Sequence, residues 1–281
     1  MKESKLGFTR IMAVLALSVS VVHADLSDGL VGYYTFDDGA GEVLKNQNGA
    51  SSDGELFNFD FENESNWAEG QIDGALSFDG IDDYVIVPEA PLAEEALSVS
   101  IWGSAVEAGV WASLVKNWGQ ALVGQFHFGL GPGEADTLNI FITDGDGNAF
   151  NAGTDLDEVE LETWEHYAFV ANPAEEQVTL YRNGEVVDEQ PYNGTFTDAP
   201  NSEAIGIGVK TTNEGDQADP GGCCPGYWNG LLDDLGIWHR ALTEAEITDI
   251  YTRGLAGESI LGGGGQGCRF LTCTVPGVCH E

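Results

Sequence analysis

Gly74-Ala-Leu-Ser-Phe-Asp-Gly-Ile-Asp-Asp-Tyr-Val-Ile-Val-Pro88 is the stretch whose reading decides the fold. Leu76 and Phe78 alternate with Ala75 and Ser77, the period of two expected of a half-buried strand over residues 75–78. Tyr84, Val85, Ile86 and Val87 form an aromatic and β-branched run, a second strand over 84–87. Pro88 cannot donate to a ladder and ends it. Asp79, Gly80, Asp82 and Asp83 supply the turn between the two.

Outward from this stretch the chain keeps the same texture. Residues 30–36 (Leu-Val-Gly-Tyr-Tyr-Thr-Phe) read as the first strand, followed by the acidic turn Asp37-Asp38-Gly39. Residues 97–102 alternate cleanly, and 111–116, 125–130 and 138–143 follow as shorter strands between Gly-rich turns. Residues 164–171 pair with 177–182, and Asn183-Gly184 suits a type I′ hairpin turn, in which both central residues need positive φ. Residues 205–209 and 227–239 complete the strands. One helix is expected near the end: Thr243 and Glu246 make a capping box, Ala245, Ile247, Ile250 and Tyr251 recur at helical spacing, and Gly254 suits its C-terminal stop. About a dozen short strands with a single late helix predict an all-β, two-sheet antiparallel sandwich.

The chain has 281 residues, 42% of them hydrophobic, enough for one β domain with a sizeable core. Charge is the outlying property, with 10 Lys+Arg against 47 Asp+Glu, a formal net of -37. Such a surface repels phosphate backbones and excludes nucleic acid as a partner class. The surplus reads two ways, as carboxylates clustered for a cation or as the solubilising coat of an exported protein. Residues 1–24 read as a signal peptide: Lys2, Lys5 and Arg10 precede an apolar run at 11–22 too short to span a bilayer, and Val22-His23-Ala24 suits the peptidase. No later run is long and apolar enough to cross a membrane, so a secreted, cell-surface or periplasmic location is expected. The predicted organisation is a leader (1–24), one domain (25–261), and a Gly-rich linker with a Cys-bearing tail (262–281).

Five cysteines, Cys223, Cys224, Cys268, Cys273 and Cys279, fall late in the chain. Export makes disulfides the expected reading, with Cys223 or Cys224 bridging to the tail, because adjacent cysteines strain the peptide between them. The odd count leaves one thiol over. Asn63-Glu-Ser and Asn193-Gly-Thr fit glycosylation sequons.

Three landmarks stand in a fixed order. Phe78-Asp-Gly-Ile-Asp-Asp-Tyr-Val85 resembles the FDG-x-D-D-Y-V signature of laminin-G-like jelly rolls in the concanavalin A-like lectin/glucanase superfamily. Trp164-Glu-His-Tyr-Ala168 with Tyr181-Arg-Asn-Gly184 is similar to the second family landmark. Gly230-Leu-Leu-Asp-Asp-Leu-Gly-Ile-Trp238 and Arg240-Ala-Leu-Thr-Glu-Ala-Glu-Ile247 resemble its closing strand and helix. The resemblance covers residues 30–256 and implies a concanavalin A-like jelly roll.

It also implies a site. Several relatives hold a structural calcium where the first and last strands lie together, which here places ligands near Asp37, Asp38, Gly74 and Asp233. Calcium takes six to eight hard oxygens, and carboxylates mixed with carbonyls supply them. Asp82 and Asp83 are a second, weaker acidic pair. Asp144-Gly-Asp-Gly-Asn148 has the first oxygens of a calcium loop but fits a hairpin turn better, lacking the later glycine and glutamate. Glu160-Leu-Glu-Thr-Trp-Glu165 superficially resembles the catalytic run of laminarinase-type glucanases, yet the strand that follows matches the non-catalytic branch. For glycan, Trp111, Trp118, Tyr227 and Trp228 sit in or beside predicted loops and are the candidate aromatic faces, while Trp102, Trp164 and Trp238 are expected in the core. The expected function is a non-catalytic, lectin-like or adhesive module for glycan or an extracellular protein. The alternatives are a secreted glycan-active hydrolase and a structural surface protein.

Overall fold

The computed structural model describes residues 25–62, 66–91, 93, 95–107, 109, 111–117, 125–131, 137–144, 146–155, 160–196, 204–212, 214–219 and 225–262. The predicted leader, the tail beyond Gly262 and all five cysteines lie outside them. The strands are β1 (Leu30–Tyr34), β2 (Val43–Leu44), β3 (Gly54–Phe57), β4 (Trp67–Glu69), β5 (Gly74–Asp79), β6 (Tyr84–Val87), β7 (Leu97–Ala105) and β8 (Ser113–Lys116). They continue as β9 (Gln125–Leu130), β10 (Thr137–Thr143), β11 (Ala149–Asp155), β12 (Glu165–Asn172), β13 (Gln177–Arg182), β14 (Glu185–Pro191), β15 (Ile205–Ile207) and β16 (Asn229–Trp238). Helix α1 (Glu244–Leu255) follows.

These strands make two eight-stranded antiparallel sheets. The first runs β14-β13-β12-β7-β16-β5-β4, with β1 also on β16, and the second runs β11-β10-β9-β8-β15-β6-β3-β2. The expected two-sheet sandwich with one C-terminal helix is therefore what the chain forms. The two strands of the deciding stretch do not pair with each other: β5 joins the first sheet and β6 the second, so the acidic turn at 79–83 carries the chain across the sandwich. Leu76, Phe78, Val85 and Val87 point into the shared core. Tyr84 and Ile86 point the other way, yet they too are buried, packed with Ala204 and Val209 against Phe57 and Tyr227. The unbroken Tyr-Val-Ile-Val run, rather than an alternating one, is the mark of that second layer.

Helix α1 lies on the outer face of the first sheet, where Leu30, Tyr33, Trp238, Leu242, Ile247 and Ile250 form a second apolar cluster. The capping box is present, with Thr243 and Glu246 exchanging hydrogen bonds. Gly254 is not the stop. A Cβ there would stand 2.4 Å from the Trp102 ring, so its bareness lets the helix lie down on that indole. The left-handed residue is Gly257 (φ 69), and Gly257 and Glu258 donate to the Gly254 and Arg253 carbonyls, a Schellman end. The Asn183-Gly184 turn has both residues at positive φ, as a type I′ turn requires. Trp102 and Trp238 are core residues as expected, but Trp164 is only half buried at the start of β12.

Beneath the helix, His166 is fully buried, with Nε2 2.7 Å from Ser100 Oγ and its ring beside Trp102 and Tyr251. Burial holds this imidazole neutral, depressing its pKa from 6.5 to about 3. The unfolded chain therefore takes up a proton that the folded chain refuses, so stability present above pH 6.5 is lost as the pH falls toward 3. Between pH 5.5 and 4.5 this imidazole is expected to contribute a loss of about 1.4 kcal/mol. Urea midpoints for wild type and His166→Gln at the two pH values measure it, and equal slopes in both proteins refute it.

Candidate functional site

Three chain reversals build the site at one end of the first sheet. Past β1, Phe36 adopts left-handed backbone (φ 56) and presents Asp37. Ahead of β5, Asp73 does the same (φ 55) and presents Gly74. In β16 the register slips by one residue between Asp233 and Gly236 against β7, with Asp234 at φ 43. That bulge matters because successive strand residues ordinarily face opposite ways. The extra residue lets two adjacent aspartates serve the same face, with Leu232 and Leu235 on either side of them in the core.

The three reversals meet. Asp37 Oδ1 accepts from the Gly74 amide at 2.6 Å, and Asp233 Oδ2 accepts from the Ile72 amide at 2.8 Å. The point where a Gly70 Cβ would stand is 2.2 Å from the Gly74 carbonyl oxygen and 2.6 Å from Asp233 Oδ2, so these two oxygens crowd one small volume. The Phe36 carbonyl lies 2.9 Å from the corresponding point on Gly74. Tyr33 donates its hydroxyl to Asp234 Oδ1 and accepts from the Ile260 amide at 3.1 Å. Asp233 Oδ1 and Asp234 Oδ2 are buried with no hydrogen-bond partner among the described residues.

Two buried, adjacent carboxylates with unspent oxygens are costly unless something positive joins them. Burial pushes the Asp233 carboxyl well above the ordinary range, with Asp234 beside it adding to the shift. Asp234 is raised mainly by burial and further by Asp37 and Asp73, against the Tyr33 hydroxyl that stabilises its charge. Asp37, exposed at the rim, is raised by partial desolvation and by Asp73 and Asp38. All the available donors are oxygens, carboxylate and carbonyl, which suits a hard divalent cation of the size and flexibility of calcium. Asp37, Gly74 and Asp233 would hold it, with Asp234.

Asp38 is engaged elsewhere. Its carboxylate accepts from the Lys45 amide at 2.9 Å and shapes the turn into β2, although it adds to the field at Asp37. Asp79, Asp82 and Asp83 bring carboxylate oxygens within 4.8 Å of one another. Their task is visible in the turn itself: Asp79 Oδ1 accepts from the amides of Ile81, Asp82 and Asp83, and Asp83 Oδ2 from that of Asp79. Asp144 likewise caps its own hairpin, accepting from the Asp146 and Asn148 amides, as the turn reading expects.

The four candidate aromatics fare differently. Trp228 is 1% exposed and belongs to the core. Tyr227 is half buried and packs on Tyr84 at 6.4 Å, in the layer over β6. Trp118 lies outside the described residues. Trp111 is half buried, precedes β8 rather than joining it, and sits in left-handed backbone (φ 62) with its ring edge-on to His127 at 5.3 Å. In the Glu-rich run, Glu165 is buried, accepts from Arg182 Nε at 2.8 Å and from the Tyr167 hydroxyl at 2.7 Å, and so has neither oxygen to spare.

Sequence reasoning did not assign Asp234 and Asp73 to the site. The signal for Asp234 was present, since an Asp-Asp doublet inside an apolar strand demands a bulge or a buried charge. For Asp73 only the Asp-Gly pair hinted at a reversal.

A family model described as the concanavalin A-like lectin/glucanases superfamily matches residues 79–248. No curated protein matches the sequence. Among solved structures, domain 4 of AbnA, a GH43 extracellular arabinanase from Geobacillus stearothermophilus, in complex with arabinotriose, is 19% identical at a TM-score of 0.60, covering 79% of this chain and 98% of that one. The binding domain of Paraclostridial Mosquitocidal Protein 1 is 17% identical at 0.59, covering 80% of this chain and 52% of that one. The binding domain of Botulinum neurotoxin DC, in complex with rat synaptotagmin II, is 13% identical at 0.57, covering 82% and 52%. This chain thus spans about half the length of the toxin binding domains.

Proposed function

The chain belongs to the concanavalin A-like lectin/glucanase superfamily, and from that premise we propose that it is an exported, non-catalytic recognition module for glycan or an extracellular protein, with a structural calcium ion joining its first and last strands. The observation that carries the reading is the pair of unpartnered carboxylate oxygens at Asp233 and Asp234 beside the Gly74 carbonyl and Asp37. When bound, calcium supplies the positive charge that these carboxylates lack. It joins β1, β5 and β16 at one point, where Tyr33 also anchors the segment after α1. A non-catalytic role is supported by the engagement of Glu165, and recognition by the arabinotriose and the synaptotagmin II bound in similar solved structures. Export rests on the leader-like residues 1–24.

Thermal unfolding with millimolar calcium and with chelator tests the proposal. A cation present at a hundred times its dissociation constant stabilises the folded state by about 2.7 kcal/mol. For a domain of this size that is a rise of roughly 5–10 °C. Asp233→Asn is expected to abolish the rise while keeping the chelated midpoint, since it removes a buried charge rather than a contact. A wild-type midpoint indifferent to calcium defeats the scaffold role. Release of reducing ends from polysaccharide by the purified protein defeats the non-catalytic one.

A further inference from the structure

Both aspartates of the acidic site are tied, by separate hydrogen-bond chains, to the end of helix α1 and the segment after it. Asp233 Oδ2 accepts from the Ile72 amide at 2.8 Å, and the preceding residue, Gln71, donates Nε2 to the Gly254 carbonyl at 3.0 Å. The last carbonyls of a helix lack the usual partner inside it, and Gln71 serves one of them from a distant loop. Asp234 Oδ1 accepts the Tyr33 hydroxyl hydrogen, and the Tyr33 oxygen in turn accepts from the Ile260 amide at 3.1 Å. Each chain starts on a carboxylate that also keeps one buried oxygen without a partner among the described residues, Asp233 Oδ1 and Asp234 Oδ2.

Residues 258–262 form a short strap held by few contacts. Ile260 is buried, its Cδ1 3.0 Å from the point where a Gly236 Cβ would stand, beside Trp238 on the outer face of β16. Its carbonyl accepts from Arg253 Nη1 at 3.2 Å, and the Gly262 amide turns back to the Ser259 carbonyl at 3.0 Å. Ser259 is buried against the same Tyr33 hydroxyl. On either side Leu255 and Leu261 are exposed. One buried aliphatic side chain and a handful of hydrogen bonds put the strap at the low end of local stability, where a change at one anchor alters how often it opens.

We infer that the acidic site is the latch of this strap: a divalent cation there keeps residues 258–262 docked on β16, and its removal lets them open. The inference rests on the calcium reading proposed above and adds a regulated element to it. With a cation between them, the two carboxylates are fixed and each holds its chain in place. Without one, two adjacent buried charges repel, and their bare oxygens gain by turning toward water. Asp234 cannot turn without letting go of Tyr33, the hydroxyl that holds Ile260. Asp233 cannot turn without freeing Ile72 and loosening Gln71 from the helix end. Both routes converge on one short segment, so occupancy of the site acts there rather than evenly over the sandwich. Such coupling is reciprocal: whatever draws the strap off weakens cation binding by the same factor, typically about 5–150-fold.

Hydrogen exchange followed by mass spectrometry on the full chain, in millimolar calcium chloride and in chelator, tests it. Peptides spanning 256–262 are expected to exchange about fivefold more slowly, or slower still, with calcium. Those from β11, at the edge of the second sheet, are expected to exchange alike in both. Tyr33→Phe removes the relay oxygen and is expected to abolish the slowing even where calcium has brought its thermal midpoint to a plateau. Gln71→Met cuts the second chain from a half-buried position and is expected to diminish the slowing with the calcium-dependent midpoint rise intact. Undiminished slowing in Tyr33→Phe, or in Gln71→Met should Tyr33→Phe not fold, overturns the latch. A wild-type midpoint that rises with calcium while 256–262 exchange alike in both buffers overturns the latch and leaves the cation site standing. Equal slowing in β11 overturns it as well, being the mark of general stabilisation. Neither a rise nor a slowing defeats the cation site and the latch together.

Discussion

Replacing Arg182 by methionine is expected to destabilise the sandwich by about 3–5 kcal/mol. Glu165 is 3% exposed at the start of β12, and Arg182 closes over it from the paired end of β13. Arg182 Nε donates to Glu165 Oε1 at 2.8 Å, a second guanidinium nitrogen reaches the same oxygen, and the Tyr167 hydroxyl takes Oε2. Without the guanidinium the carboxylate keeps one phenol and a long contact from Asn183. Removing one partner of a buried pair strands the other charge in a poor solvent, which costs far more than the pair contributes over an apolar replacement. For a domain of this length the loss is roughly 6–20 °C in midpoint. The double variant Glu165→Gln with Arg182→Met is expected to recover most of it. A single variant that melts with wild type would show that the carboxylate finds water after all.

The second large effect is in the core. Phe169 is fully buried on the inner face of β12, 5.0 Å from Phe128 and 5.7 Å from Phe126 of the opposite sheet. It is the ring on which the two sheets touch at that point. Phe169→Ala removes both ring contacts and leaves a cavity between the two sheets. The expected cost is about 3–5 kcal/mol, against less than about 1.5 for Phe169→Leu. Denaturant midpoints for the pair measure it. Equal losses in the two would mean that the sheets close up around the smaller residue.

Much of this fold is legible in the chain because its strands announce their faces. The period of two over 75–78 and 97–102, the Asn183-Gly184 turn and the Thr243/Glu246 box are local signals, and each appears where expected. What fails is whatever depends on a distant neighbour. Gly254 resembles a helix stop until Trp102, far back in the chain, is found pressed against it. Trp228 resembles a loop aromatic until the core closes over it. Half of the acidic site follows the same rule. Asp37, Gly74 and Asp233 are placed by family order, but the bulge that turns Asp234 to their side is a property of the β7–β16 register and leaves only a doublet in the sequence. Similarly, His127 and Asn139 read singly as polar interruptions of apolar strands, and only the pairing of β9 with β10 makes them adjacent.

The pairing of β1 with β16 has a consequence in time. Leu30 lies beside Trp238, so the longest wait of any strand pairing among the described residues is imposed on the strand made first. β16 also separates β7 from β5, which means that the first sheet exists as three unjoined pieces, β14-β13-β12-β7, β5-β4 and β1 alone, with open edges until nearly all of the described chain has been synthesised. Contacts between distant parts of a chain form slowly, and open strand edges attract other strands in the interval. The nascent chain thus cannot complete its first sheet from the N-terminus onward; the last strand is the keystone, and the hazard of mispairing ends only when it is set.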